Sequence, residues 1–366
     1  MKKIINILLA LVLILVSAFS LVACGDSRDN DGKKGLLVKK YSGEDFYTVY
    51  GYVDEGENVT SLDIGTVAGE KTIGRIAKNA FSGNDTLEEI IVPDTVTEIA
   101  GGAFQKMKKL SKITLPFVGK TALSDSYIYE TDEADGKSVN EERAFAFIFG
   151  TEEYAFGEAI TINHGSATAT YYIPSSLTEI TIKPAGEYKI PMYGFAGTVL
   201  VEKVNLVGNI TSIGKYAFQG CRDLASINIP ASVTTIDNYA FEGCSYLANG
   251  LTFDQGSILS KINGYAFANS GIKELTLPAT VTEIGNRAFK GSTIEKIVLS
   301  ASLTKVNPYA FYDCVELRVV DITAVTGAPE LGVSAFEDCE NLVFTAELDA
   351  IWSVKGANYK TNTKGN

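Results

Sequence analysis

Few residues in this chain are equipped for acid–base or covalent chemistry, and their spacing works against it. His164 is the single histidine among 366 residues. A His-activated nucleophile or a His-ligated metal needs partners that His164-Gly165-Ser166 does not bring, with no Asp or Cys nearby to build a triad. Cys24 stands alone, whereas Cys221, Cys244, Cys314 and Cys339 each fall three residues after a phenylalanine. Intervals of 23 residues or more are unlike the short ligand spacings of zinc sites. These four read as small apolar side chains repeated in one interior slot or, if stacked at strand spacing, as disulfide partners. The stretch Gly65-Thr66-Val67-Ala68-Gly69-Glu70-Lys71-Thr72 lacks the glycine-to-lysine spacing of a phosphate loop, and no long helical pattern follows it. Thr131 to Gly136 has the carboxylates and glycine of a calcium loop without its alternating ligands or closing glutamate, so it reads as a solvated acidic turn or a weak cation site. Adjacent Glu152 and Glu153 are too ordinary a pair to argue for glycoside hydrolysis. No catalytic residue, metal ligand or cofactor is therefore assigned, and the chain is expected not to be an enzyme.

The organisation that does stand out is periodic. An Ala-Phe pair places phenylalanine at 81, 104, 218, 241, 267, 289, 311 and 336, and a Gly-Phe variant adds Phe195. Most intervals run from 22 to 26 residues, with one jump of 91 between Phe104 and Phe195. A fixed period of this size, held over most of the chain, is the mark of a solenoid. In one copy, LASINIPASVTTIDNYAFEGC, Ile227 and Ile229 alternate with Asn228 as in a half-buried strand, and Pro230 ends it because it has no N–H to donate. Val233 and Ile236 return to the core. Asn238 to Phe241 then form a single helical turn with Phe241 filling the bend. One coil cannot bury this face alone, but a stack can.

Reading from the start, Met1 to Ala23 carries Lys2 and Lys3, then a long apolar run, then small residues, which is the pattern of an export signal. Leu21-Val22-Ala23-Cys24 resembles the lipobox of bacterial lipoproteins, which implies acylation of Cys24 and membrane attachment through an N-terminal lipid. Residues 24–45 are expected to be a flexible tether and 46–345 the solenoid, with an N-terminal cap at 46–65. Between Phe117 and Tyr172 the period breaks. Ten acidic residues against three basic ones, with the aromatic runs AFAFIFG and Tyr154-Ala155-Phe156, make 117–172 an acidic insertion expected to pack on one flank. Residues 346–366 would form a C-terminal cap and tail, with Leu348, Ile351 and Trp352 at helical spacing.

The pattern I-T-L-P-x-x-V-T-x-I-G-x-x-A-F-x-x-C-x-x-L resembles the BspA-type leucine-rich repeats of bacterial surface and secreted proteins. It departs from them in the 117–172 excursion and in Asn, Ser, Thr or Met at the Cys slot of several copies. The resemblance implies a repeat solenoid: a right-handed leucine-rich-repeat coil, mostly short parallel β-strands with single helical turns. It also implies an adhesin-like role at a bacterial cell surface. Repeat motifs encode fold rather than partner, so the function carries over by analogy.

Three places are candidates for binding. One is the polar row pointing outward from the strands, which includes Asn205, Asn228 and Thr276. A second is the residue before each Ala-Phe pair, where Tyr216, Tyr239, Tyr265 and Tyr309 recur with Arg287 in line. Regular tyrosines at such a position also serve simply to cover neighbouring coils. The third is the insertion. A net charge of −12 without any basic stripe argues against nucleic acid. The expected partners are extracellular proteins or glycans. A solute-capture or catalytic site in the insertion, and self-assembly into an envelope structure, are the alternative readings.

Overall fold

The computed structural model describes residues 35–54, 59–122, 143–164 and 167–343. These wind into a parallel β-solenoid whose regular coils contribute one strand to each of two faces. On the first face, Ser61–Asp63, Glu89–Ile91, Lys112–Leu115, Glu179–Ile182, Lys203–Leu206, Ser226–Ile229 and Leu251–Phe253 form one sheet in chain order. A second sheet of Glu274–Thr276, Lys296–Val298 and Val319–Asp321 continues that face. On the second face, two-residue strands such as Thr235–Ile236, Lys261–Ile262 and Glu283–Ile284 pair in parallel from Tyr188–Ile190 to Glu330–Leu331.

The bends carry the core. Phe195, Phe218, Phe241, Phe267, Phe289, Phe311 and Phe336 stack face to face, with ring centroids 4.9 to 5.3 Å apart. Each buried ring contributes about 1.5–3 kcal/mol from burial and about 0.5–1.5 kcal/mol from each aromatic pairing. The chain reaches this packing through tight turns rather than helix. The residue before each Ala-Phe lies in the left-handed region, as at Tyr216 (φ 58), Tyr239 (φ 59), Tyr265 (φ 57), Arg287 (φ 55) and Tyr309 (φ 59). Among the described residues the helices are Ile64–Ala68, capped by the Asp63 carboxylate, and the 3-10 turn Phe145–Phe149.

The four described cysteines, Cys221, Cys244, Cys314 and Cys339, are free and buried. They are also more than filler, since each thiol donates to the carbonyl of the bend phenylalanine one coil earlier. Cys221 reaches Phe195 O at 3.0 Å, Cys244 Phe218 O at 3.2 Å, Cys314 Phe289 O at 3.0 Å and Cys339 Phe311 O at 3.0 Å. Thr198 occupies the same slot and bonds Phe195 O through its hydroxyl. That bond stays within one coil, and Met107 and Ser270 fill the slot without any such bond, so what the slot requires is a small or apolar side chain that can be buried.

Two boundaries differ from the sequence expectation. Residues 35–45 are not part of a tether. Gly35–Lys40 pairs antiparallel with Tyr47–Val53, which pairs in turn with Ile73–Ile76, so the cap begins at Gly35 and is a hairpin. Leu37 and Val49 are buried in it, and this apolar alternation is what ties the segment down. The 117–172 region is likewise not a single flanking insertion. Phe104 N donates to Ile148 O and Phe145 N to Gly194 O, the same bonds that join Ala-Phe bends elsewhere. Phe149 lies 6.3 Å from Phe104, and Phe145 lies 5.4 Å from Phe195. Residues 143–149 are thus the bend of a full coil, and Phe149 sits midway between Phe104 and Phe195 in sequence. Part of the extra length forms the antiparallel hairpin Gly157–His164/Ala167–Pro174. The acidic turn at 131–136, the lipidation position Cys24 and the 346–366 cap lie outside the described residues.

Candidate binding surfaces

The polar row forms because a strand turns alternate side chains outward and the coils hold exact register. Thr114, Thr181, Asn205, Asn228 and Thr252 occupy consecutive rungs of the first face. Thr252 is exposed and the other four are half-buried, and hydrogen bonds join Thr181 to Asn205 and Asn228 to Thr252. Asn205 Nδ2 donates to Glu179 Oε1 at 2.7 Å and Thr181 Oγ1 at 3.1 Å, and Thr252 Oγ1 donates to Asn228 Oδ1 at 2.8 Å. Asn228 Nδ2 donates to Asp254 Oδ1 at 2.7 Å. Glu179 anchors the row between Lys203 at 2.9 Å and Lys112 at 3.8 Å. The hydrogen bond from Lys203, reinforced by that from Asn205, holds the Glu179 carboxyl below its ordinary range. Thr276 is aligned with Val298 and Asp321 on the second sheet of this face, not with Thr252. The row is therefore two rows.

The tyrosines form one continuous stripe. Tyr193, Tyr216, Tyr239 and Tyr265 stack at 4.7, 4.9 and 4.7 Å with nearly parallel rings. Arg287 continues the column, its guanidinium 5.8 Å from the Tyr265 ring and 4.4 Å from Tyr309. Since each ring face is covered by the next, the stripe offers hydroxyls and ring edges rather than a flat aromatic platform. All five predicted positions are half-buried, as coil-covering side chains are. Burial, with the neighbouring Tyr216 and Tyr265, raises the Tyr239 phenol above its ordinary value, so it remains a neutral donor and acceptor.

Among the described residues no three His, Cys, Asp or Glu side chains gather as metal ligands. Burial pushes the Cys221 thiol up to about 12, which keeps it protonated against its carbonyl partner. The His164 side chain lies outside the described positions. Sequence reasoning did not single out Glu179, Asp254, Thr181 or Tyr193. Glu179 opens its strand at a position where Lys and Glu recur, and Asp254 stands where Pro230 and Pro278 end theirs. Tyr193 precedes the Gly-Phe variant and so escapes an Ala-Phe search.

The strands, bends and interior ladder define a leucine-rich-repeat solenoid. The BspA type leucine rich repeat region matches in six copies over residues 58–161, 166–258 and 250–352, and the chain belongs to that family. Solved structures of the same general kind include a leucine-rich repeat protein from Bacteroides ovatus. It is 22% identical, with 86% of this chain and 82% of that one covered and a TM-score of 0.40. The T. pallidum leucine-rich repeat protein is 23% identical, covering 59% of this chain and 100% of its own, with a TM-score of 0.45. The pneumococcal vaccine antigen PcpA is 18% identical over 85% of this chain and 70% of its own, with a TM-score of 0.38. No curated protein matches the chain.

Proposed function

We propose that this protein is a non-catalytic binding protein of the bacterial cell surface, adhesin-like, anchored through a lipid on Cys24. The observation that carries the reading is the polar row of Thr181, Asn205, Asn228 and Thr252, held in register on consecutive rungs and bonded in two pairs, Asn205 to Thr181 and Thr252 to Asn228. Its amides and hydroxyls are held at strand spacing on an open face, free of side-chain disorder costs on binding. The partners that suit such a face are extracellular proteins or glycans, met by many small polar contacts. The Leu21-Val22-Ala23-Cys24 run supports the anchor.

The test is a binding array of extracellular-matrix proteins, mucins and glycans, probed with protein lacking residues 1–24. Saturable binding that falls at least tenfold in an Asn205→Ala, Asn228→Ala double variant is the expected result. Binding to none of them, or reversible self-association in their place, overturns the reading. The anchor is tested separately: Cys24→Ala protein that stays acylated and membrane-bound contradicts it.

A further inference from the structure

The first face is parted where the Leu251–Phe253 strand meets the next coil. That strand ends the seven-stranded sheet, Glu274–Thr276 begins the three-stranded one, and a groove of about 750 Å³ lies between them. The cause is local. Phe241 to Phe267 spans 26 residues against 23 for the interval before it, and the added residues flank the first-face strand. The lengthened segment stays on the preceding coil, because Gly250 leaves no room there for a side chain. A Cβ on it would meet Ala225 O at 1.7 Å. The groove is closed at both ends, by Lys273 N donating to Ala248 O at 2.9 Å and by Thr280 Oγ1 donating to Leu259 O at 2.7 Å.

Its two walls are strand edges. In a parallel ladder both main-chain groups of a residue face the same neighbour, and successive residues alternate sides. Ile227 N donates to Gly250 O and Asp254 N to Ile229 O, so Leu251 and Phe253 face away from that coil, into the groove. Lys296 N donates to Lys273 O and Leu277 N to Val298 O, so Glu274 and Thr276 face the groove from the other wall. No ladder joins the two walls. The floor is apolar, from Leu251, Leu275 and Leu277, and the rim carries the exposed carboxylates Asp254 and Glu274. Lys273 beside Glu274 is already paired with Glu295 at 3.4 Å, and Lys296 lies on the side away from the groove.

We propose that this groove takes an extended polypeptide segment of about four residues as an added strand, with apolar side chains turned to the floor and Lys or Arg turned to the rim. Main-chain bonds to Leu251 and Phe253 supply affinity, and alternate side chains supply selectivity. Charge settles the occupant, since the rim is acidic and a second copy of this acidic chain would repel it. The inference rests on the binding-protein reading and deepens it at the break between the two polar rows, where Thr252, Asp254 and Thr276 line the groove.

The probe is a fluorescent Lys-Val-Lys-Val-Lys-Val peptide titrated into the full chain. Saturable binding is expected, weakened at least tenfold by Glu274→Lys, by N-methylation of alternate peptide amides, and by exchange of the lysines for glutamates. On binding, the Leu251 and Phe253 amides should become slow to exchange. Equal binding of the N-methylated peptide, or binding that leaves those two amides unchanged, overturns the proposal, as does no binding at all. If the array ligands bind and Glu274→Lys leaves them untouched, the groove fails while the binding-protein reading survives. If the peptide binds and the array is blank, the groove stands and the adhesin reading falls.

Discussion

Between Phe104 and Phe195 the chain runs for 91 residues and carries a full hairpin at Gly157–Pro174, yet the first-face ladder crosses that coil whole, with Lys112–Leu115 paired to Glu179–Ile182 at every residue. Between Phe241 and Phe267 the added length is three residues relative to the interval before, and there the same face parts. Place matters more than length. The hairpin at Gly157–Pro174 leaves the first-face strands in register, whereas residues added directly beside the Leu251–Phe253 strand part it from the next coil. The second face shows the complement. It is interrupted at the excursion coil, between the Glu98–Ile99 and Tyr188–Ile190 strands, and runs unbroken past the parted one. That second-face break is sealed: Phe117 and Val118 are buried in it, and Val118 N donates to the buried Tyr188 hydroxyl at 2.9 Å. The first-face break is open. Because the two breaks fall at different heights, and the phenylalanine column passes both, the solenoid nowhere loses both faces in one plane.

The comparison breaks if the excursion coil is not a true coil. Phe149→Ala should cost about 3–5 kcal/mol in chemical denaturation, as much as Phe218→Ala. A loss below about 1 kcal/mol would place Phe149 outside the column. Next comes the joint that holds the parted coil to its predecessor. Gly250→Ala should destabilise by up to about 3 kcal/mol, because backbone rather than a flexible side chain must give way. The sealed break is sharpened by Tyr188→Phe, which orphans Val118 N and should cost about 1–2 kcal/mol by the same measurement.

The smallest effect concerns the polar row. Glu179→Gln should cost at most about 1 kcal/mol near neutral pH, since the pairs are partly solvated. The Glu179 carboxyl titrates below its ordinary range in the folded state, so its contribution is present above the unfolded value and fades as pH falls through the folded one. Stability curves of the two proteins should converge on acidification. Curves that stay parallel would remove Glu179 from the account.

Much of this was legible in the residues. The Ala-Phe period, the strand alternation around Asn228 and the tyrosine register all follow from side-chain types recurring in one phase. What escaped was whatever broke the phase by substitution or by length. Phe149 fills the column behind Ile148 rather than alanine, inside a run of phenylalanines where no single one stands out. The Gly35–Lys40 strand of the cap follows a charged stretch, so the composition upstream hid it. The parted face follows from Gly250, Gln255 and Gly256. They look like ordinary loop residues until the rungs are aligned, and they act through what they do to a neighbour's hydrogen bonds. Cysteine as a hydrogen-bond donor was hidden for the same reason, its partner lying a full coil away.

The most direct measurement is amide hydrogen exchange on the free, full-length protein, comparing Val118 at the sealed break with Leu251 and Phe253 at the open one. The account predicts that Val118 exchanges as slowly as Ile227 in the regular coils, while Leu251 and Phe253 exchange orders of magnitude faster. Equal protection at all four positions would contradict it, because the first face would then be closed and the two irregular coils would differ only in size.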